Sequence, residues 1–218
     1  IGTDLSTAVN GALVTSASPA FIVLFAIVLL GERLTGLRLL SIILATIGVL
    51  VIVDPSRADF SSETFVGDMF LAGAALSWGL YSTLVRKVSR DHALDTLRFT
   101  MLAFCGGLLL VIPASAIELS LSPVGPITFE VILGVLYLGF IATTVSMWMW
   151  NRAFALVDAS VASLFFFAQP VSGALLGAIF LAQPMTTSLW AGGALIVLGV
   201  LIALRPERRP AMPAADAA

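Results

Sequence analysis

Ser18-Pro19-Ala20-Phe21-Ile22-Val23-Leu24-Phe25-Ala26-Ile27-Val28-Leu29-Leu30-Gly31-Glu32-Arg33-Leu34-Thr35 has a counterpart 151 residues later, running from Gln169-Pro170 to Thr186. The register extends without a gap from Leu5 to Val53 on one side and from Leu156 to Leu204 on the other, with about a dozen identities in 49 positions. Shared leucines and alanines mean little in apolar helices. Pro19 over Pro170, Thr35 over Thr186, and Gly48-Val49-Leu50 over Gly199-Val200-Leu201 mean more. Each copy reads as a proline-interrupted apolar helix, a turn some twelve residues after the proline, and a second helix ending in small and β-branched residues.

The rest of the composition agrees with helices in lipid. Of the 218 residues, 59% are apolar and 11% charged, and the mean hydropathy is +1.06. A soluble domain carries about 25% charged residues and cannot cover its surface with so few. A cytosolic enzyme and a disordered chain are thereby excluded. The net charge of −2 supplies no basic field for phosphate backbones, so nucleic acid is not an expected partner. Cys105 and His92 are each single in the chain, which leaves no disulfide, no His/Cys metal cluster and no Ser-His-Asp triad. No metal or cofactor is expected. The reading is an all-α polytopic membrane protein.

Crossing a bilayer takes about 20 apolar residues. Seven stretches qualify, at about 7–30, 37–53, 66–85, 97–117, 129–150, 160–182 and 189–204. Alternate connectors hold ten of the eleven basic residues: Arg33, Arg38, Arg86, Lys87, Arg90, Arg98, Arg152, Arg205, Arg208 and Arg209. The opposite set holds Arg57 and most of the acids, among them Asp54, Asp59, Glu63 and Asp68. Basic loops stay in the cytoplasm. The first residue is therefore expected outside and the C-terminus inside, in a plasma membrane of bacterial inner-membrane type.

That orientation sends Pro19's span inward and Pro170's span outward, so the two copies are upside down relative to each other. Inverted repeats are the architecture of secondary transporters, with the solute site near the midplane between them. Three spans precede the second copy, whereas none precedes the first. The chain also opens on Ile1-Gly2-Thr3-Asp4 without Met. It is expected to be a piece of a ten-helix bundle built from two inverted five-helix repeats. Residues 1–53 would be the last two helices of the first repeat, 54–66 an outside connector, 67–204 the complete second repeat, and 205–218 a disordered cytoplasmic tail.

The order of motifs adds a family. It comprises Pro19, Leu30-Gly31-Glu32-Arg33-Leu34-Thr35 and Gly48; then Gly67-Asp68 and Ala74-Ala75-Leu76-Ser77-Trp78-Gly79-Leu80-Tyr81; then Asp95-Thr96-Leu97-Arg98-Phe99, Trp150-Asn151-Arg152-Ala153-Phe154, Ala159-Ser160, Gln169-Pro170 and Gly199. This order resembles the EamA repeat of the drug/metabolite transporter superfamily, over nearly the whole chain to about residue 206. The resemblance implies a ten-span inner-membrane carrier, often an exporter, of amino acids, other metabolites or toxic compounds. One departure is Ala182-Gln183-Pro184 where the first repeat has Gly31-Glu32-Arg33, which argues against two symmetric charged gates.

Candidate solute-binding residues are Trp78, Tyr81, Asn10, Phe166, Gln169, Trp148 and Arg98. Trp78 and Tyr81 share a helix face, and aromatic faces stack flat or cationic solutes; the alternative, an interfacial belt, does not reach mid-span. Asn10 and Gln169 are amides inside spans, harder to satisfy within a helix than the hydroxyls of Ser16, Ser18, Thr143, Thr144 and Ser146. Of Phe165-Phe166-Phe167 one ring can face a cavity, and Phe166 stands one turn before Pro170. Trp148, Trp150 and Asn151 fit a belt or a gate. Arg98 fits an anion contact at the cytoplasmic mouth, or a local pair with Asp95. Glu32 fits a capping or pairing role. Pro19 and Pro170, each freeing a carbonyl at Thr15 and Phe166, fit hinges beside a cavity or static kinks. Gly173-Ala174-Leu175-Leu176-Gly177 fits packing within the bundle or a homodimer face. No Asp, Glu, His or Lys lies at mid-span depth, so no proton-coupling carboxylate is expected in this part.

The leading expectation is a carrier of a small molecule, embedded in lipid. A retinal-type receptor would need a lysine in its last span, and the sole lysine is Lys87 in a loop. A rhomboid-type protease needs a Ser-His pair in the membrane, and His92 falls in a loop. A non-transporting scaffold is the remaining alternative.

Overall fold

Both prolines do more than bend their helices. In a computed structural model, which describes residues 1–59, 61, 63–92, 95–121, 124–181 and 186–204, the first span is two helices, α1 (Ala8–Thr15) and α2 (Ser18–Leu30). Pro19 sits in the first turn of α2, where a missing N–H costs nothing. The sixth span divides at the equivalent place. A short helix (Ala159–Ala162) passes into a tight 3₁₀ segment (Ser163–Phe167) before the long helix Ala168–Leu181 resumes. The expected kinks thus coincide with breaks in the α-helical hydrogen bonding, near repeat-equivalent residues, each bridged by backbone that stays right-handed helical.

Between these lie α3 (Gly36–Val53), α4 (Phe65–His92), α5 (Thr96–Leu121), α6 (Phe129–Leu136) and α7 (Ser146–Leu156). The short helix is then α8, the long helix after it α9, and the last is α10 (Thr187–Ala203). All the described regular structure is helical, in seven groups that match the seven expected spans. Four stretches are long and apolar enough to cross a membrane: Val9–Leu30, Gly36–Val53, Thr96–Leu121 and Phe129–Leu156. The repeat-paired threonines act as caps: Thr35 accepts from the Arg38 N–H at 3.4 Å and Thr186 from the Leu189 N–H at 3.2 Å. The tail at 205–218 and Ala182-Gln183-Pro184 lie outside the described residues.

The most extensive helix pairing joins α3 to α10, which are themselves repeat mates. A Cβ on Gly48 would come within 2.6 Å of the Gly192 carbonyl oxygen, and one on Gly199 within 2.7 Å of that of Ser41. Only a missing side chain allows such approach, which in lipid stands in for hydrophobic driving force. The pairs run antiparallel, and a shift of 151 residues carries Gly48 onto Gly199 and Ser41 onto Gly192. One contact therefore maps onto the other, as a local two-fold axis between inverted copies requires.

Two buried clusters flank this seam. Ile22, Ala26, Val85, Phe154, Ala159 and Ala162 join α2, α4, α7 and α8; Ala45, Val49, Leu164, Phe167 and Ile196 join α3, α10 and the 3₁₀ segment. By contrast, only 6% of α5's most apolar window is buried, and none of that of Phe129–Leu156. The latter contains a nine-residue π-helical stretch, Tyr137–Val145. The Thr143, Thr144 and Ser146 hydroxyls donate to carbonyls five residues back, so they serve their own helix.

Candidate functional site

The two helix breaks face one cavity. Its volume is about 260 Å³, and Ala12, Thr15 and Ser16 line it from the first break, Phe166, Phe167, Gln169 and Pro170 from the second, with Val49 and Val53 of α3. Thr15 and Ser16 are the repeat mates of Phe166 and Phe167. Pro19 has no N–H to give the Thr15 carbonyl. At the second break the Ala168 N–H reaches back to the Phe165 and Phe166 carbonyls. Of the three phenylalanines, Phe165 is 51% exposed and Phe167 is buried, while Phe166 is half-buried and lines the cavity.

Phe166 also ends a run of aromatic rings. It meets Trp150 edge-on at 6.0 Å; Trp150 meets Phe154 at 4.9 Å and Trp78 at 5.5 Å. Trp78 meets Tyr81 at 6.0 Å, and Tyr81 meets Phe99 at 6.2 Å. The sequence placed Trp78 and Tyr81 on one face of α4; the fold brings Trp150 from α7 against them. Asn151, fully buried, holds the far end: its amide nitrogen donates to the Tyr81 hydroxyl and to Thr100 Oγ1, both at 2.9 Å. The Trp150 N–H donates to Ser82 Oγ at 3.1 Å. The Trp78 N–H is buried without an acceptor among the described residues. Leaving a buried donor unmatched costs about 1–3 kcal/mol. Tyr81 additionally borders a second cavity of about 410 Å³, between α5 and the π-helical stretch.

Three expected site residues lie elsewhere. Asn10 is fully buried and engaged: its Nδ2 donates to the Asp59 carbonyl and to Asp68, and its Oδ1 accepts from the Asp59 N–H at 3.0 Å. It fastens α1 to the connector and to the start of α4, because an amide offers two N–H donors beside its acceptor oxygen where a hydroxyl offers one donor. Trp148 is 40% exposed and outside the ring run, since only every third or fourth residue of α7 faces α4. Arg98 is exposed in the first turn of α5, with no pair to Asp95 or any other acid among the described residues.

At the end of the molecule where α2 stops, a charged knot joins the two repeats. Gly31 ends α2 with φ +65°, and the Glu32 N–H returns to the Ala26 carbonyl at 3.2 Å. This left-handed turn suits glycine and aims Glu32 away from its own helix. The Glu32 carboxylate accepts from the Ala159 N–H at 2.8 Å, the Ser160 N–H at 3.2 Å and Ser160 Oγ at 2.7 Å, capping α8 from the other repeat. Asp158, the residue placed to cap α8, makes no such bond. It is free to hold Arg38 at 2.7 Å and Arg86 at 3.5 Å. The Arg90 guanidinium donates to the Leu30 carbonyl at 3.2 Å. Sequence spacing gave Glu32 a capping role but not its partner. The available signal was that Asp158 is the repeat mate of Thr7, the hydroxyl that caps α1.

Known proteins resemble this chain in sequence and in fold. The chain matches the EamA-like transporter family over residues 1–54 and 65–205. It is 26% identical over 215 residues to the uncharacterized transporter YyaM of Bacillus subtilis, covering 96% of this chain and 68% of the relative. It is 30% identical over 193 residues to an uncharacterized transporter of Archaeoglobus fulgidus, covering 88% of this chain and 66% of the relative. A solved crystal structure superposes with a TM-score of 0.78 at 25% identity, covering 93% of this chain and 70% of that one. The chain spans about two thirds of the length of these relatives. It is an integral membrane protein of helical fold, and it belongs to the EamA-like transporter family.

Proposed function

We propose that this chain forms the larger part of a secondary carrier that moves a small solute by alternating access, its two inverted repeats rocking about the cavity between the broken helices. The observation that carries this reading is the pairing of the breaks: repeat-equivalent residues, Thr15-Ser16 and Phe166-Phe167, line one cavity from opposite copies. Irregular backbone at membrane depth is tolerated only where it faces protein or an aqueous path. The ring run from Phe166 to Tyr81, with the unmatched Trp78 N–H, supports a solute contact beside it. With basic loops inside, the Glu32–Arg38–Asp158 knot closes the cytoplasmic mouth and the C-terminus is cytoplasmic. The expected membrane is a bacterial inner membrane, the expected direction outward, as the family resemblance implies, and the complete bundle ten helices.

The test reconstitutes the full-length protein in proteoliposomes and scores a mixed metabolite pool by mass spectrometry. Flux of one chemical class, lost in Trp78→Ala at normal expression, supports the reading. A well-folded protein that moves no solute refutes it in favour of a scaffold.

A further inference from the structure

We infer that the cavity between the helix breaks receives a protonated amine, the ammonium group of the transported solute. This rests on the cavity being part of the solute path, and it follows from counting hydrogen-bond donors and acceptors around it. Among the described residues that line the space there is no Asp, Glu, Lys, Arg or His. The Thr15 hydroxyl already donates to the Gly11 carbonyl at 2.7 Å, and the Ser16 hydroxyl to the Ala12 carbonyl at 2.5 Å. Each oxygen can therefore only accept from a ligand. The Thr15 carbonyl has lost its ordinary donor to Pro19.

The opposite ends of the breaks are as short of donors as these are rich in acceptors. A helix start normally presents free N–H groups to an anion. Here Pro19 has none, and the Ala20 and Phe21 N–H groups turn back to the Ala17 carbonyl at 3.0 and 3.3 Å. Pro170 removes the equivalent donor in the second repeat. The side-chain amide of Gln169, which has no partner among the described residues, is the one lining side chain with an N–H to offer a ligand. An ammonium brings three N–H donors and no acceptor, the complement of this set. The Phe166 ring adds a face of the sign that attracts cations. A carboxylate would find one neutral amide and several repelling oxygens.

Binding to the full-length protein in detergent would be measured by calorimetry for three solutes of matched shape: a primary arylalkylamine, the corresponding alcohol and the corresponding carboxylate. The amine should bind best, and its affinity should fall as pH passes the amine's own pKa. Thr15→Val and Gln169→Leu should each weaken it by about 10-fold, the worth of one charge-assisted hydrogen bond, while Thr15→Ser restores it. Equal or better binding of the alcohol or the carboxylate overturns the inference, as does stabilisation by sodium ion alone with no effect of the amine. Flux in proteoliposomes separates the two readings. Amine binding without flux of any solute leaves amine recognition by the cavity standing but removes the carrier and with it the assignment of the amine as cargo, whereas variant-sensitive flux of only neutral or anionic solutes keeps the carrier and overturns the amine.

Discussion

Glu32→Ala should loosen the junction between the repeats without touching the cavity. The carboxylate is 12% exposed and accepts three bonds from the first turn of α8, at 2.8, 3.2 and 2.7 Å. An exposed N-cap is worth about 1 kcal/mol, and a charge-assisted bond about 1.5–3 kcal/mol. These terms overlap, because Ser160 retains its bond from Arg38 at 3.0 Å and Arg38 retains Asp158. A net loss of about 2–4 kcal/mol is expected, within the range for removing one partner of a buried charged network. Local opening of α8 should rise accordingly, by about 30-fold at the lower figure, since each 1.4 kcal/mol is a factor of ten. Hydrogen exchange of the Ala159 to Ser163 amides in the full-length protein, solubilised in detergent, reads this directly. Glu32→Gln should fall between, because its amide keeps one acceptor and turns an N–H toward the α8 donors. Unchanged protection in Glu32→Ala would mean that α8 is held by its apolar packing alone, and the assignment of this knot as a latch would be wrong.

Other perturbations separate packing from transport. Gly192→Val should overfill the α3–α10 seam and cost about 1–3 kcal/mol, visible as a lower melting temperature. A melting temperature equal to that of the parent would mean the seam can open. Trp78→Ala should impair flux in a folded protein, and Trp78→Phe should keep the ring contacts while testing the unmatched N–H; full activity in both removes Trp78 from the path. Asn151→Leu removes the Tyr81 hydroxyl's partner and one donor to Thr100, which keeps its bond to the Thr96 carbonyl, and should destabilise by about 1–3 kcal/mol, checked by thermal unfolding. Pro170→Ala returns a donor to the second break and should change turnover more than apparent affinity; identical kinetics would make the break purely structural.

Much of this architecture is local and therefore legible along the chain. Apolar runs of bilayer length, the loops that carry arginine, and the 151-residue repeat follow from lipid chemistry acting on each segment by itself. Thr35 and Thr186 stand out in the sequence as a repeat-paired identity, and the fold gives them the reason, a cap made within four residues. Phe166 stands out in the sequence because it lies one turn before a proline that cannot donate, and Gln169 because an amide is hard to satisfy inside a helix; both line the cavity. What depends on distant partners was not. Asn10 reads as a polar group inside a span, and only the fold shows that Asp59 and Asp68 occupy it. Trp148 and Trp150 lie two residues apart on one helix, and their sequence neighbourhood does not say which faces α4; packing chose Trp150. Glu32 could have paired with Arg33 beside it, but the left-handed turn at Gly31 directs it across the repeat boundary to α8. Thus the sequence alone determined the apolar spans and the repeat, since these are legible in segments taken one at a time. The tertiary structure decided which breaks line one cavity and which charges join the repeats where α2 stops, since those depend on how two inverted copies meet about a common axis.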